Sequence, residues 1–264
     1  GKRWNRVSDI VSAQGVVITR GSRVAISASD FSIPAGKITA IIGPNGSGKS
    51  TILHAIAGLL SISSGELSVL NNTPLLSQSQ ISYVLQYTTV PAGTPLTVME
   101  AVAMARYPGL GLFGRPSQED KKLVLSAMDR LEISNLAKRH LTELSGGQRQ
   151  RVYVAQGIAQ DHSILLLDEP LTGLDLNSAR TIDSIIHDEP VHGCSVVLTT
   201  HDLEEARAAD HVILTAGSVV GSGKPADVLT TNNLTKAYGL GSLHEDKATD
   251  LILPTEHHIN DHPH

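Results

Sequence analysis

Short apolar runs recur along the chain at Lys37–Ile42, Ile164–Leu167, Ser195–Thr200 and Val212–Leu214. Continuous aliphatic and β-branched runs of this length suit strands buried on both faces of a sheet. The segments between them carry helical spacing, which predicts an α/β fold with a mainly parallel sheet. A helix is expected from Lys49 to about Leu60. The turn Ala216-Gly217-Ser218 into Val219-Val220 predicts a hairpin, and so an antiparallel β edge.

The middle of the chain reads differently. From about Val90 to Ile158 the pattern is helical, which predicts a helical subdomain inserted between two halves of one α/β core. Ser117-Gln118-Glu119-Asp120 has the form of a capped helix start. Leu123, Val124, Ala127, Met128 and Leu131 then share one face. Tyr107–Pro116, with three glycines and two prolines, predicts a loop. The expected division is a first core half over 1–89, the helical subdomain over 90–158, a second core half over 159–231 and a polar tail over 232–264. No internal repeat is visible.

Composition narrows the classes. Apolar residues make up 41% and charged residues 18% of 264 residues, enough to bury a sizeable core. The net charge of −5 argues against a generally basic nucleic-acid binder or a polybasic membrane anchor. One cysteine, Cys194, excludes an intrachain disulfide and a cysteine zinc cage. No run approaches the ~18 apolar residues of a membrane-spanning helix. Gly1-Lys2-Arg3-Trp4 carries no apolar leader and no starting methionine, which implies a trimmed start.

The strongest chemical signal is Gly43-Pro44-Asn45-Gly46-Ser47-Gly48-Lys49-Ser50, a gapless G-x-x-x-x-G-K-[ST] between a strand and a helix. Its glycines let backbone N–H groups turn inward around phosphates, and the helix dipole adds positive potential at the same place. Lys49 would reach the β- and γ-phosphates, Ser50 would ligate Mg²⁺, and Thr51 extends the polar rim toward the α-phosphate.

A second signal ends the apolar run Ile164–Leu167 with Asp168-Glu169. Beside a phosphate loop, Asp168 is the expected Mg²⁺ partner and Glu169 the general base for an attacking water. Two acids at a helix N-cap would give the same letters. A third signal, Leu144-Ser145-Gly146-Gly147-Gln148, opens another helix. Ser145 and the glycine N–H groups make a second anion site there.

Two phosphate-binding helix starts in one chain resemble the ATP-binding cassette (ABC) ATPases. The resemblance runs from about Val16 to Leu229. Its motifs stand in the family's order: phosphate loop, Gln86, Leu144–Gln148, Asp168-Glu169, Asp175 and His201. It implies the phosphate-loop ABC ATPase fold and hydrolysis of ATP with Mg²⁺. It also implies a head-to-tail homodimer in the ATP-bound state, in which Ser145 and Gly147 serve the partner's γ-phosphate, with Gly146 and Gln148 in the same nucleotide-binding motif. Gln86 would touch Mg²⁺ and water, Asp175 would sit at the dimer seam, and His201 would hold Glu169 and water in line. Asp175 also reads as a loop N-cap, with Asn177 and Ser178 following.

One family feature is missing. The adenine-stacking aromatic falls by alignment at Arg20, and no aromatic occurs between Trp4 and Phe31. A guanidinium can stack on a base, so Arg20 is the candidate adenine contact. The alternative leaves Arg20 solvated and folds Trp4 in.

The resemblance also implies separate transmembrane permease subunits, an extracytoplasmic substrate-binding protein and a place at the cytoplasmic membrane face. Ala105–Ser117 and Asn233-Leu234-Thr235-Lys236-Ala237-Tyr238-Gly239 resemble zinc/manganese importer ATPases. An iron-chelate or other importer is the alternative. A soluble ABC ATPase of DNA repair or translation fits this length and charge poorly. Five of the 12 histidines fall in the last 21 residues, including His257, His258, His262 and His264. Such imidazoles suit transition metals, or the segment is a solvated tail without a role.

Overall fold

The computed structural model describes residues 9–86, 95–109 and 114–239. In chain order the elements are β1 (Asp9–Arg20), β2 (Arg23–Pro34), β3 (Ile38–Ile42), α1 (Lys49–Ile56), β4 (Ser64–Val69), α2 (Pro74–Ser77), β5 (Ile81–Val84) and α3 (Val98–Ala103). Then come α4 (Gln118–Arg130), α5 (Gly146–Ala159), β6 (Ile164–Leu167), α6 (Leu176–Asp188), β7 (Ser195–Thr200), α7 (Leu203–Ala208), β8 (His211–Thr215), β9 (Val219–Gly223), α8 (Pro225–Val228) and α9 (Thr231–Tyr238).

The larger sheet has the order β5-β6-β7-β3-β8-β9. Its first five strands are parallel, and β9 pairs antiparallel to β8 at the edge, as the Ala216–Ser218 turn predicts. The smaller sheet, order β2-β1-β4, is antiparallel. Ser27 N–H to Gly217 O at 2.9 Å and Val219 N–H to Ser29 Oγ at 2.9 Å tie it to the β8–β9 hairpin.

The central strands alternate between two cores because successive side chains leave opposite faces. Leu165 and Leu167 of β6, with Val196 and Leu198 of β7, join a core built with α3, α4, α5 and α6. Ile164, Leu166 and Val197 join a second core with α1 and the smaller sheet. Both faces are therefore covered, which is why β6 is apolar at every position and β7 is buried throughout, its polar residues falling at its two ends.

Capping explains the helix starts. Ser117 and Asp120 form a reciprocal capping box on α4, and Ser145 and Gln148 form one on α5. Val124, Ala127, Met128 and Leu131 are buried along the α4 face. The first helix is shorter than its spacing suggests: α1 ends at Ile56. Gly58 at φ 73° reverses the chain there, and Gly58 N–H bonds Ala55 O. Met104–Gly109 forms a 3₁₀ segment where the sequence predicts the start of a loop. Among the described residues no helix is long and apolar enough to cross a membrane.

Candidate functional site

The phosphate loop joins β3 to α1. Gly43 follows the buried strand so closely that a Cβ there would meet Ser47 Oγ at 2.5 Å and overlap Thr215. Gly48 adopts φ 101°, and an added Cβ would run into Ile26. These two positions exclude side chains for two reasons, close approach and backbone hand. Ser47 is fixed from both ends: Oγ bonds Thr215 Oγ1 at 2.8 Å, and its carbonyl accepts Gly217 N–H at 2.9 Å. Gly48 caps α1 without a side-chain hydrogen bond, so no side chain competes for the first-turn amides. Asn45 and Gly46 are exposed, and Pro44 lies between them and the strand.

Lys49 is 7% exposed. Its Nζ donates to Gly43 O at 2.6 Å and stands 3.9 Å from Glu169 Oε1. Burial lowers its pKa, and the Glu169 and Asp168 charges oppose that fall. Ser50 Oγ donates to Asp168 at 3.2–3.3 Å. Hydroxyl and carboxylate oxygens set face to face are the hard donor set that Mg²⁺ prefers.

Asp168 and Glu169 leave the end of β6. Thr199, one strand over on β7, orders both. Its Oγ1 donates to Asp168 Oδ1 at 2.6 Å and accepts Glu169 N–H at 2.9 Å. Glu169 has φ 42°, a left-handed conformation rare for a side chain with a Cβ. His201 Nδ1 lies 3.6 Å from Glu169 Oε1, just past the end of β7, and its ring is half exposed. Gln86 leaves β5 and lines one pocket together with Glu169, Gly146 and the segment Thr172–Leu174.

Arg20 ends β1 over the first turns of α1. Its Nε donates to Thr51 Oγ1 at 2.9 Å, and its Nη2 contacts His54 Nδ1. His54 meets the Tyr83 ring edge to face at 5.7 Å. Burial and then the Arg20 charge lower the His54 pKa. The guanidinium thus rests on the phosphate-loop helix. Trp4 and the tail histidines His257, His258, His262 and His264 lie outside the described residues.

The second candidate anion site is built from two neighbouring helix starts. Ser145 Oγ accepts Gln148 N–H at 3.2 Å, and Ser145 and Gly146 are exposed. Asp175 caps α6 by accepting Ser178 N–H at 3.0 Å, the loop-cap role also open to it from the sequence. That hydrogen bond holds the Asp175 pKa below its usual value. Gly147 is buried against this cap.

Lys49, Ser50, Asp168, Glu169 and His201 therefore converge at the C-terminal ends of β3, β6 and β7, with Arg20 and Thr51 at the flank. Ser145–Gln148 and Asp175 form a neighbouring group, of which Gly146 shares a pocket with Glu169. Thr199 was missed as a site residue. Its signal was a hydroxyl one strand away from the acids at the same sheet end.

The family described as ABC transporter matches residues 26–172, more than half of the chain. The chain belongs to the ABC transporter family. The manganese transport system ATP-binding protein of Listeria monocytogenes is 36% identical over 86% of this ABC chain and 95% of its own length. The zinc transport system ATP-binding protein of Treponema pallidum is 36% identical, over 80% of this chain and 79% of its own length. A solved inward-facing metal-chelate type ABC transporter superposes with a TM-score of 0.76 at 29% identity, covering 87% of this chain and 89% of that one. The chain is an ATP-binding, ATP-hydrolysing subunit of the ABC type, the engine of a transporter.

Proposed function

We propose that this ATPase powers import of a divalent metal ion, manganese or zinc. The observation that carries the cargo is the likeness, over most of the chain, to ATP-binding proteins named for manganese and for zinc transport. The subunit would dock at the cytoplasmic face of the membrane on separate permease subunits, with an extracytoplasmic protein delivering the ion. The helical segment 90–158 and Gln86 would form the contact with the permease.

The site chemistry follows from the residues present. Backbone N–H groups of the loop, among which Pro44 has none, would bind the nucleotide phosphates, and Lys49 would turn its ammonium from Gly43 O toward them. Bound Mg²⁺-ATP supplies an electrophilic γ-phosphoryl group. Ser50, Asp168 and Gln86 would hold the metal. Glu169 accepts the proton of the attacking water, and His201 keeps that carboxylate in line. Arg20, seated beside Thr51, would meet the adenine. Exposed Ser145 and Gly146, with Gly147, Gln148 and Asp175, close the partner subunit's site in a two-fold homodimer.

The test is cellular uptake of radioactive manganese, zinc and iron after deletion of the gene. Manganese or zinc uptake should fall and return with the natural chain but not with Glu169→Gln. Unchanged uptake of both ions would refute the cargo. Loss confined to iron would transfer the engine to an iron-chelate system.

A further inference from the structure

A second group of metal-ligating side chains lies at the opposite end of the parallel strands. His162 immediately precedes Ser163 and β6, Glu189 follows α6, and Cys194 immediately precedes β7. The nucleotide residues occupy the far ends of the same two strands. Four residues of β6 at about 3.3 Å each put roughly 13 Å between the two ends.

Three features make this more than an ion pair. First, a His162 ring nitrogen, a Glu189 carboxylate oxygen and Cys194 Sγ all lie within 4.8 Å of one another, and Nε2 is the nitrogen on Glu189. Second, the imidazole is already oriented. Its Nδ1 faces Gln160 O at 2.6 Å, and a carbonyl can only accept, so Nδ1 carries the hydrogen and Nε2 is turned to the cluster. Third, the His162 and Glu189 side chains are only 8% and 3% exposed, so a cation here would be shielded from water on most sides.

Competing charges can rearrange. Glu189 Oε2 is 2.6 Å from His162 Nε2, and Oε1 is 3.3 Å from Arg130 Nη2. Arg130 keeps a second partner, Asp188 Oδ2 at 2.9 Å, if the Glu189 carboxylate turns away.

We propose that His162, Glu189 and Cys194 form a binding site for a borderline-soft divalent cation, Zn²⁺ by preference, separate from the nucleotide site. The mixed nitrogen, oxygen and sulfur donors fit zinc in a three-ligand site with one position open to water. A thiolate disfavours Mg²⁺ and Mn²⁺, which prefer oxygen.

The chain has a single cysteine, which makes the test specific. The full-length protein, stripped with EDTA, is titrated with Co²⁺ and read for sulfur-to-cobalt charge-transfer absorption. That band should appear in the natural chain and in a variant with His257, His258, His262 and His264 changed to Gln. It should vanish in Cys194→Ser. Zn²⁺ affinity should fall about 10–100-fold in His162→Gln. In the unmutated protein, saturating Zn²⁺ should slow alkylation of Cys194 at least about tenfold, because coordination draws charge from the sulfur and shields it from the reagent. No charge-transfer band at saturating Co²⁺, or an alkylation rate indifferent to Zn²⁺, would overturn the site. So would cobalt binding that survives Cys194→Ser and disappears with the tail histidines.

Discussion

Gly147 and Asp175 occupy touching places: a Cβ added to Gly147 would overlap Asp175 Oδ1 and meet Ser178 Oγ at 2.6 Å. The start of α5 is thereby locked to the cap of α6. The signature loop is positioned by a neighbouring helix and does not float free.

Gly147→Ala should push these two helix starts apart. Overpacking of this kind costs about 1–3 kcal/mol. Misplacing the signature loop by about 1 Å should lower ATPase turnover by up to about 100-fold. ATP binding to the isolated subunit should be little changed, because Lys49 and the phosphate loop lie elsewhere. Steady-state turnover and nucleotide titration on the same preparation check the contrast.

Thr199 predicts a positioning effect. Thr199→Val keeps the shape but leaves Asp168 Oδ1 and Glu169 N–H without their shared hydroxyl, at a cost of about 1–3 kcal/mol. Turnover should fall about 10–100-fold as the acids lose alignment. Thr199→Ser restores the hydroxyl and should recover most of the rate. A Ser variant as slow as the Val variant would remove the hydroxyl from this role.

Glu169→Gln should lower turnover by about 10²–10⁴-fold, the usual weight of a general base. ATP should still bind, and an ATP-dependent dimer should accumulate on size-exclusion chromatography. Turnover near the natural rate would assign the base elsewhere.

Lys49→Ala should weaken ATP binding about 10–100-fold, through loss of charge-assisted phosphate contacts. Its effect on thermal stability should be small. The ammonium is buried and its desolvation cost disappears with it, which offsets the lost contact to Gly43 O. Fluorescent-nucleotide titration and thermal melting separate the two effects.

Much of this arrangement was readable from letters alone. The runs at 164–167 and 195–200 form strands with those bounds, since every residue of both is buried and both are rich in aliphatic or β-branched side chains. The smaller sheet was not. The β1 register against β2 shifts repeatedly between Asp9 and Thr19, and those irregularities break the two-residue alternation that marks a half-buried strand. At the site, the phosphate loop and the acids carry spacing that chemistry demands. Thr199 carries none, because its role depends on the pairing of β6 with β7. Arg20 was found by alignment, but its seat on Thr51 and His54 required the fold of β1 across α1.

The left-handed backbone at Glu169 sets two demands against each other. A side chain with a Cβ held there costs of order 1–3 kcal/mol, and glycine would relieve it. Glu169→Gly should therefore melt at a higher temperature than the natural chain while turning over no ATP. A lower melting point would show that the carboxylate's contacts outweigh the strain. Selection for robustness alone would erase this residue. Its presence marks a position where a working engine is kept at the expense of a sturdier one.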